Sequence, residues 1–188
     1  MLNFFRKNTK TIIWIVVIAF IAWGGFAVSV QFEETLRSPG KIFGKEVSFR
    51  HYLLARRAVQ IFTPSADKEN PPDFNQMEAR TWEFLVLSHE AKRRKITVND
   101  EEVRQEITQL LAESGAQGLR QDQYARWIQA TFREQPREFE DQLREQMRIR
   151  KLINEIRQSP QGSSEEDLKR WLLALLTQAK IQVYKPRS

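Results

Sequence analysis

The stretch FEDQLREQMRIRKLINEI, residues 139–156, decides how the rest of the chain must fold. Phe139, Leu143 and Met147 recur at four-residue spacing and run on into Ile149, Leu152, Ile153 and Ile156, which lays one continuous apolar face along a long helix. Pro136, just ahead of it, suits a first helical turn, where no backbone N–H is needed. A face of that length needs several partners to cover it, so the fold is expected to be mainly α, with this helix organising the core.

The partners follow on both sides. Toward the amino terminus, Asp122 is placed to cap a short helix in which Tyr124, Trp127, Ile128 and Phe132 fall along one side. Asn99 with Glu102 is a capping box, opening a helix whose stripe is Val103, Ile107, Leu110 and Leu111 and which residues 114–118 end. Ile96, Thr97 and Val98 form a brief extended link. Before them, Asp73 or Asn75 caps a helix that reaches about Arg94, with Trp82, Leu85, Val86 and His89 on neighbouring turns. The basic run Lys92, Arg93, Arg94, Lys95 suits the negative pole of that helix. Residues 65–73 are a polar, proline-bearing loop. Ahead of the loop, Ser48 caps a helix with Phe49, Leu53, Ala58, Val59 and Phe62 as its apolar stripe, and residues 41–48 read as two short strand-like pieces around Gly44.

Toward the carboxyl terminus, residues 159–162 are a linker. Ser163 with Glu166 makes a second capping box for a helix with Leu168, Trp171, Leu172, Leu175 and Leu176 inward. Residues 180–184 alternate polar and apolar and read as a short strand. Its available partners are the pieces at Ile42, Phe43 and Val47, so the entry and exit segments are expected to meet in a small sheet.

A different kind of segment precedes all this. TIIWIVVIAFIAWGGFAVSV, residues 11–30, holds no charged residue, and as a helix rising about 1.5 Å per residue it covers roughly the 30 Å of a bilayer's hydrocarbon core. Arg6, Lys7 and Lys10 precede it while Glu33 and Glu34 follow, which orients residues 1–10 to the cytoplasm, 11–30 across the membrane, 31–40 as a tether and 41–188 as an exported domain. The rival reading is a cleaved secretory signal, for which Ala27, Val28 and Ser29 offer small residues; against it, the apolar run exceeds the roughly 7–15 residues of a signal's core. Gly25 and Ser29 form a small-xxx-small pair that would let two spans approach in a homodimer.

The net charge of +6 loses half its excess once the three bases before the span are set aside, and acids and bases interleave along the rest, so no nucleic-acid footprint is present. With no cysteine, disulfides and thiolate metal sites are excluded. His89-Glu90 begins a zinc-protease pattern, but position 93 is Arg where a second histidine is required. No phosphate-binding glycine loop or nucleophile elbow occurs, and the chain is expected to be no enzyme, with no catalytic residue, no metal and no cofactor. The more useful feature is the aromatic surplus. Trp82, Phe84, Tyr124, Trp127 and Phe132 are the candidate polypeptide-binding residues, because rings gathered at a groove bury much area at low conformational cost; the competing reading for each is an ordinary core residue.

Taken in order, the anchor, the entry IFGKEVSFRHYLLAR at 42–56, the link KITVNDEEVRQEI at 95–107, the long helix at 139–156 and the closing WLLALLTQAKIQVYK at 171–185 resemble the SurA/PpiD-like periplasmic chaperone family. The resemblance implies a helical polypeptide-binding module with paired entry and exit segments. It also implies parvulin-type prolyl isomerase domains inserted before the last helix and strand, and here only a short linker stands at that place. The expectation is therefore a single-pass protein of the bacterial inner membrane with a periplasmic domain that holds unfolded or newly translocated polypeptides near the translocon, without isomerase activity. The alternative is a structural or assembly subunit that binds one specific inner-membrane complex.

Overall fold

Two consecutive residues with positive φ, Phe43 at 51° and Gly44 at 74°, fold the start of the domain into a hairpin. A turn with both central residues left-handed matches the twist of the strands it joins. The strands are β1 (Gly40–Ile42) and β2 (Lys45–Val47), antiparallel with Ile42 opposite Lys45. The chain continues through α1 (Phe49–Phe62), α2 (Phe74–Arg93), α3 (Asp100–Glu113), α4 (Gln121–Phe132), α5 (Pro136–Arg157), α6 (Glu165–Ala179) and β3 (Gln182–Val183). This computed structural model describes residues 38–62, 73–160, 162 and 164–184. The expected span at 11–30, its cytoplasmic flank, all but the end of the tether and nearly all of the loop at 65–73 lie outside the described residues. Among the described residues no helix is long and apolar enough to cross a membrane.

The two ends of the domain meet as the alternation implied. β3 pairs antiparallel with β1, Gly40 opposite Val183 and Lys41 opposite Gln182, to give the order β2-β1-β3. Gly40 is required by proximity: a Cβ there would lie 2.1 Å from the Gln182 carbonyl oxygen and 2.8 Å from Trp82 Cη2. The Phe43 N–H also donates to the Ala179 carbonyl at 2.6 Å, tying the hairpin to the end of α6.

Local signals set most helix ends. Ser48 Oγ accepts from His51 N at 3.2 Å, and the Asn99–Glu102 capping box is complete, each side chain bonded to the other's backbone N–H at 2.9 Å. At the end of α2, Lys95 turns left-handed (φ 60°), and the N–H groups of Lys95 and Ile96 bond back to Lys92 and Ala91 at 3.0 Å each. That Schellman-type stop satisfies carbonyls at the basic run. Three caps differ from expectation. Asp73 precedes α2 without a side-chain cap bond, its carbonyl accepting from Met77 N at 2.9 Å instead. α4 begins one turn's fraction earlier than Asp122 would start it, with Arg120 N bonded to Gln123 Oε1 at 2.9 Å and Asp122 already in the first turn. α6 is capped by Ser164, which accepts from Asp167 N at 3.1 Å, rather than by Ser163 with Glu166. The approach to that cap is fixed by Gly162, where a Cβ would sit 2.7 Å from the Ile156 carbonyl oxygen.

α1 is rotated relative to the expected stripe. Tyr52, Ala55, Ala58 and Val59 are buried and Leu53 is 46% exposed. The rotation follows from Tyr52, whose ring packs 5.3 Å from that of Trp82.

Residues 39–188 form one compact unit, and α5 runs through both of its apolar clusters. Its carboxyl half, Ile149, Leu152 and Ile156, joins the sheet, α1, α2 and α6 in the larger cluster; its amino half, Phe139, Leu143 and Met147, joins Val98, Val103 and Ile128 in the smaller. Each such aliphatic side chain stabilises the fold by roughly 1.5–3 kcal/mol on burial. Charge adds alignment. Arg150 grips Glu106 through both guanidinium amines at 2.9 and 2.6 Å, Arg144 reaches Asp100 at 2.7 Å, and Lys151 pairs with Glu102, so α3 is held along α5.

Candidate functional site

Where α5 passes α1 and α2, the three helices do not close on one another. They and the hairpin surround a cleft of about 470 Å³. Its apolar lining comes from Ile42 and Val47 of the sheet, Leu54 and Ala58 of α1, and Phe84 and Leu85 of α2. Charged residues of both signs, among them Lys45, Arg50, Lys92, Glu138, Asp141 and Glu145, complete it. An apolar hollow with interspersed polar groups is the usual form of a binding site.

The wall between α2 and α5 is clamped by one carboxylate. Glu145 accepts from Ser88 Oγ at 2.6 Å, lies 3.1 Å from Lys92 Nζ and pairs with Arg148, whose Nε bonds the Ile96 carbonyl at 3.1 Å. Burial alone would raise its pKa; the Ser88 hydroxyl, Lys92 and Arg148 outweigh that and hold the carboxyl below its ordinary value. On the opposite side His89 stacks on Phe43, ring centroids 4.5 Å apart at 22°. Burial first, then Lys45, pushes the imidazole pKa down, so His89 is neutral at pH 7. Below this wall the Glu90 carboxylate is 3% exposed and is held by Arg93 at 2.6 and 2.7 Å and by Arg94 at 2.7 Å, a satisfied internal ion pair rather than a reactive acid.

Two residues lining the cleft carry buried polar atoms without a partner among the described residues, His89 at Nδ1 and Gln142 at both ends of its amide. Gln142 of α5 is 4% exposed, and neither its Nε2 nor its Oε1 has a hydrogen-bond partner among the described residues. Leaving buried amide atoms without partners costs about 1–3 kcal/mol per group.

The five aromatic candidates separate. Phe84 lines the cleft. Trp82, 3% exposed, belongs to the larger apolar cluster, against Tyr52. Tyr124, Trp127 and Phe132 are half-buried over the smaller cluster, where Phe132 stacks on Phe139 at 4.7 Å, Trp127 meets Phe132 edge-on at 5.5 Å, and Tyr124 donates to Glu140 at 3.2 Å. Burial, then the Glu140 charge, pushes the Tyr124 phenol far up, so it stays a donor. Gln142 was missed, although its position carried a signal: it stands three residues after Phe139 on the inward stripe, a polar side chain where the periodicity demands an apolar one. Among the described residues no group of acids and histidines is arranged to hold a metal ion.

Residues 1–153 match the family of the SurA-like N-terminal domain. The match runs from the first residue through most of α5; α6 and β3, which complete the core and the sheet, follow it. No curated protein and no solved structure matches the chain.

Proposed function

The chain belongs to the family of the SurA-like N-terminal domain, and on that premise we propose that it is a membrane-anchored, chaperone-like protein that holds unfolded or newly exported polypeptides in the cleft between α1, α2 and α5. The observation that carries the proposal is the cleft itself, where Leu54 and Phe84 stay partly exposed above the buried side chains of Ile42, Val47, Ala58 and Leu85. Apolar segments of an unfolded chain bury area there, while the charged residues keep the cleft soluble when empty. The mechanism is holding, in which binding competes with aggregation and release follows when the client folds. Support for holding without isomerisation is the short connection at 158–164 between α5 and α6, where the family resemblance would put a catalytic domain. Support for the anchor is the uncharged run at 11–30 with its basic leading flank, a charge pattern that favours a cytoplasmic amino terminus and an exported domain. Tethering raises the local concentration of cleft beside the exit of the translocon.

The test uses the full chain in lipid nanodiscs. It should slow aggregation of two chemically denatured proteins of unrelated sequence, and a photoreactive residue at position 84 should crosslink to both while one at 127 should not. Failure to protect either protein overturns the holding role. A reporter fused after Ser188 should be active only outside the cytoplasm, and activity inside it would overturn the placement. Crosslinks in cells that are confined to one membrane complex would establish an assembly subunit instead.

A further inference from the structure

The cleft contains a buried group whose chemistry specifies what part of a client it grips. Gln142 offers an amino group that donates and a carbonyl oxygen that accepts, side by side on a planar carboxamide, both without partners among the described residues and both buried within the cleft's lining. A Met or Leu of similar volume would fill the same position without the cost of the unpaired amide. A side chain that is costly to the empty protein is therefore matched to something that enters. Apolar client side chains cannot satisfy it. A carboxylate would pair with the donor and repel the acceptor, and an ammonium would do the reverse. An extended main chain satisfies both, because the N–H and C=O of one residue in a strand point to the same edge.

A second main-chain edge faces the same space. Lys45, Glu46 and Val47 of β2 all line the cleft. Since Ile42 and Lys45 flank the two-residue turn and exchange hydrogen bonds, the pleat directs the N–H and C=O of Glu46 away from β1. From these placements we infer that the cleft grips an extended polypeptide by its backbone, with Gln142 as the hydrogen-bonding anchor, so that recognition is independent of client sequence. This rests on the holding role proposed above and adds to it which atoms of the client are read.

The experiment compares two fluorescent decapeptides with the same Leu, Phe and Thr side chains, one all-amide and one with alternate amides replaced by esters, which removes N–H donors and weakens carbonyl acceptors while keeping shape. Binding to the full chain in nanodiscs is followed by anisotropy for wild type, Gln142→Met and Gln142→Leu, and thermal unfolding of each variant is recorded alongside. Wild type should bind the amide peptide about tenfold more tightly than the ester peptide, as two lost hydrogen bonds imply. Both variants should bind the amide peptide about tenfold more weakly, show no further loss with the ester, and unfold at a temperature equal to or above that of wild type. Variants that keep wild-type affinity, that keep the ester penalty or that unfold at a lower temperature would overturn the anchoring role. Should the variants bind like wild type and still slow aggregation, the holding role stands and only the backbone reading falls; should wild type bind neither peptide, both fall together.

Discussion

The region around Phe139 and the cleft beside it share one helix and differ in how their apolar side chains are used. Around Phe139 the rings are matched to one another: Phe62 at 5.6 Å and Phe132 at 4.7 Å from its ring, with Trp127 edge-on to Phe132 and the one phenol bonded to Glu140. In the cleft Phe84 and His89 of α2 stand beside aliphatic side chains, with the Gln142 carboxamide without a partner among the described residues. Ring content therefore marks where the fold is closed, and the proposed binding surface lies where packing is incomplete. Aromatic side chains find each other readily during folding because each buries a large area. A site for a transient guest has to leave some of its own surface unmatched.

Four perturbations bear on that contrast. The largest effect is expected from Phe139→Ala, which empties a site 1% exposed and should lower unfolding free energy in urea by about 3–5 kcal/mol, with client affinity of the remaining folded protein unchanged. A fall in affinity would join the two regions functionally. Phe84→Ala inverts the pattern: stability should drop by only about 1–2 kcal/mol while decapeptide binding weakens roughly tenfold, read by anisotropy.

The third perturbation is pH. The folded-state pKa of Glu145 is held below its unfolded value, so its clamp is fully present above about pH 4.5 and is lost as pH falls through the lower folded value. Wild-type stability should therefore decline on the acid side more steeply than that of Glu145→Gln, measured as urea midpoints across that range; parallel curves would show that the clamp contributes nothing. The smallest effect is expected from Tyr124→Phe, which removes one half-buried hydrogen bond and should cost about 1 kcal/mol without touching binding.

The sequence was most legible where a few adjacent residues settle the geometry. The Asn99–Glu102 capping box, the turn at Gly44, Pro136 opening α5 and the meeting of the entry and exit segments all rest on local signals or on the scarcity of strand partners, although the exit strand pairs with Gly40 and Lys41 rather than with Ile42, Phe43 or Val47. Helix rotation was less legible. Leu53 and Tyr52 both offer an apolar face, and the choice between them was made by Trp82, thirty residues along, against which the Tyr52 ring packs. The start of α6 shifted by one residue for a similar reason, since Gly162 must lie against Ile156 before the helix can begin.

The sequence by itself determined a mainly helical domain built on residues 139–156, its entry and exit strands, and its family, because periodicity, caps and turns are properties of neighbouring residues. Only the tertiary structure decided which aromatic residues are core and which reach the cleft, and that Gln142 stands there with both ends of its amide without a partner among the described residues. Burial and hydrogen-bond satisfaction depend on what arrives from distant helices, and no spacing along the chain encodes that.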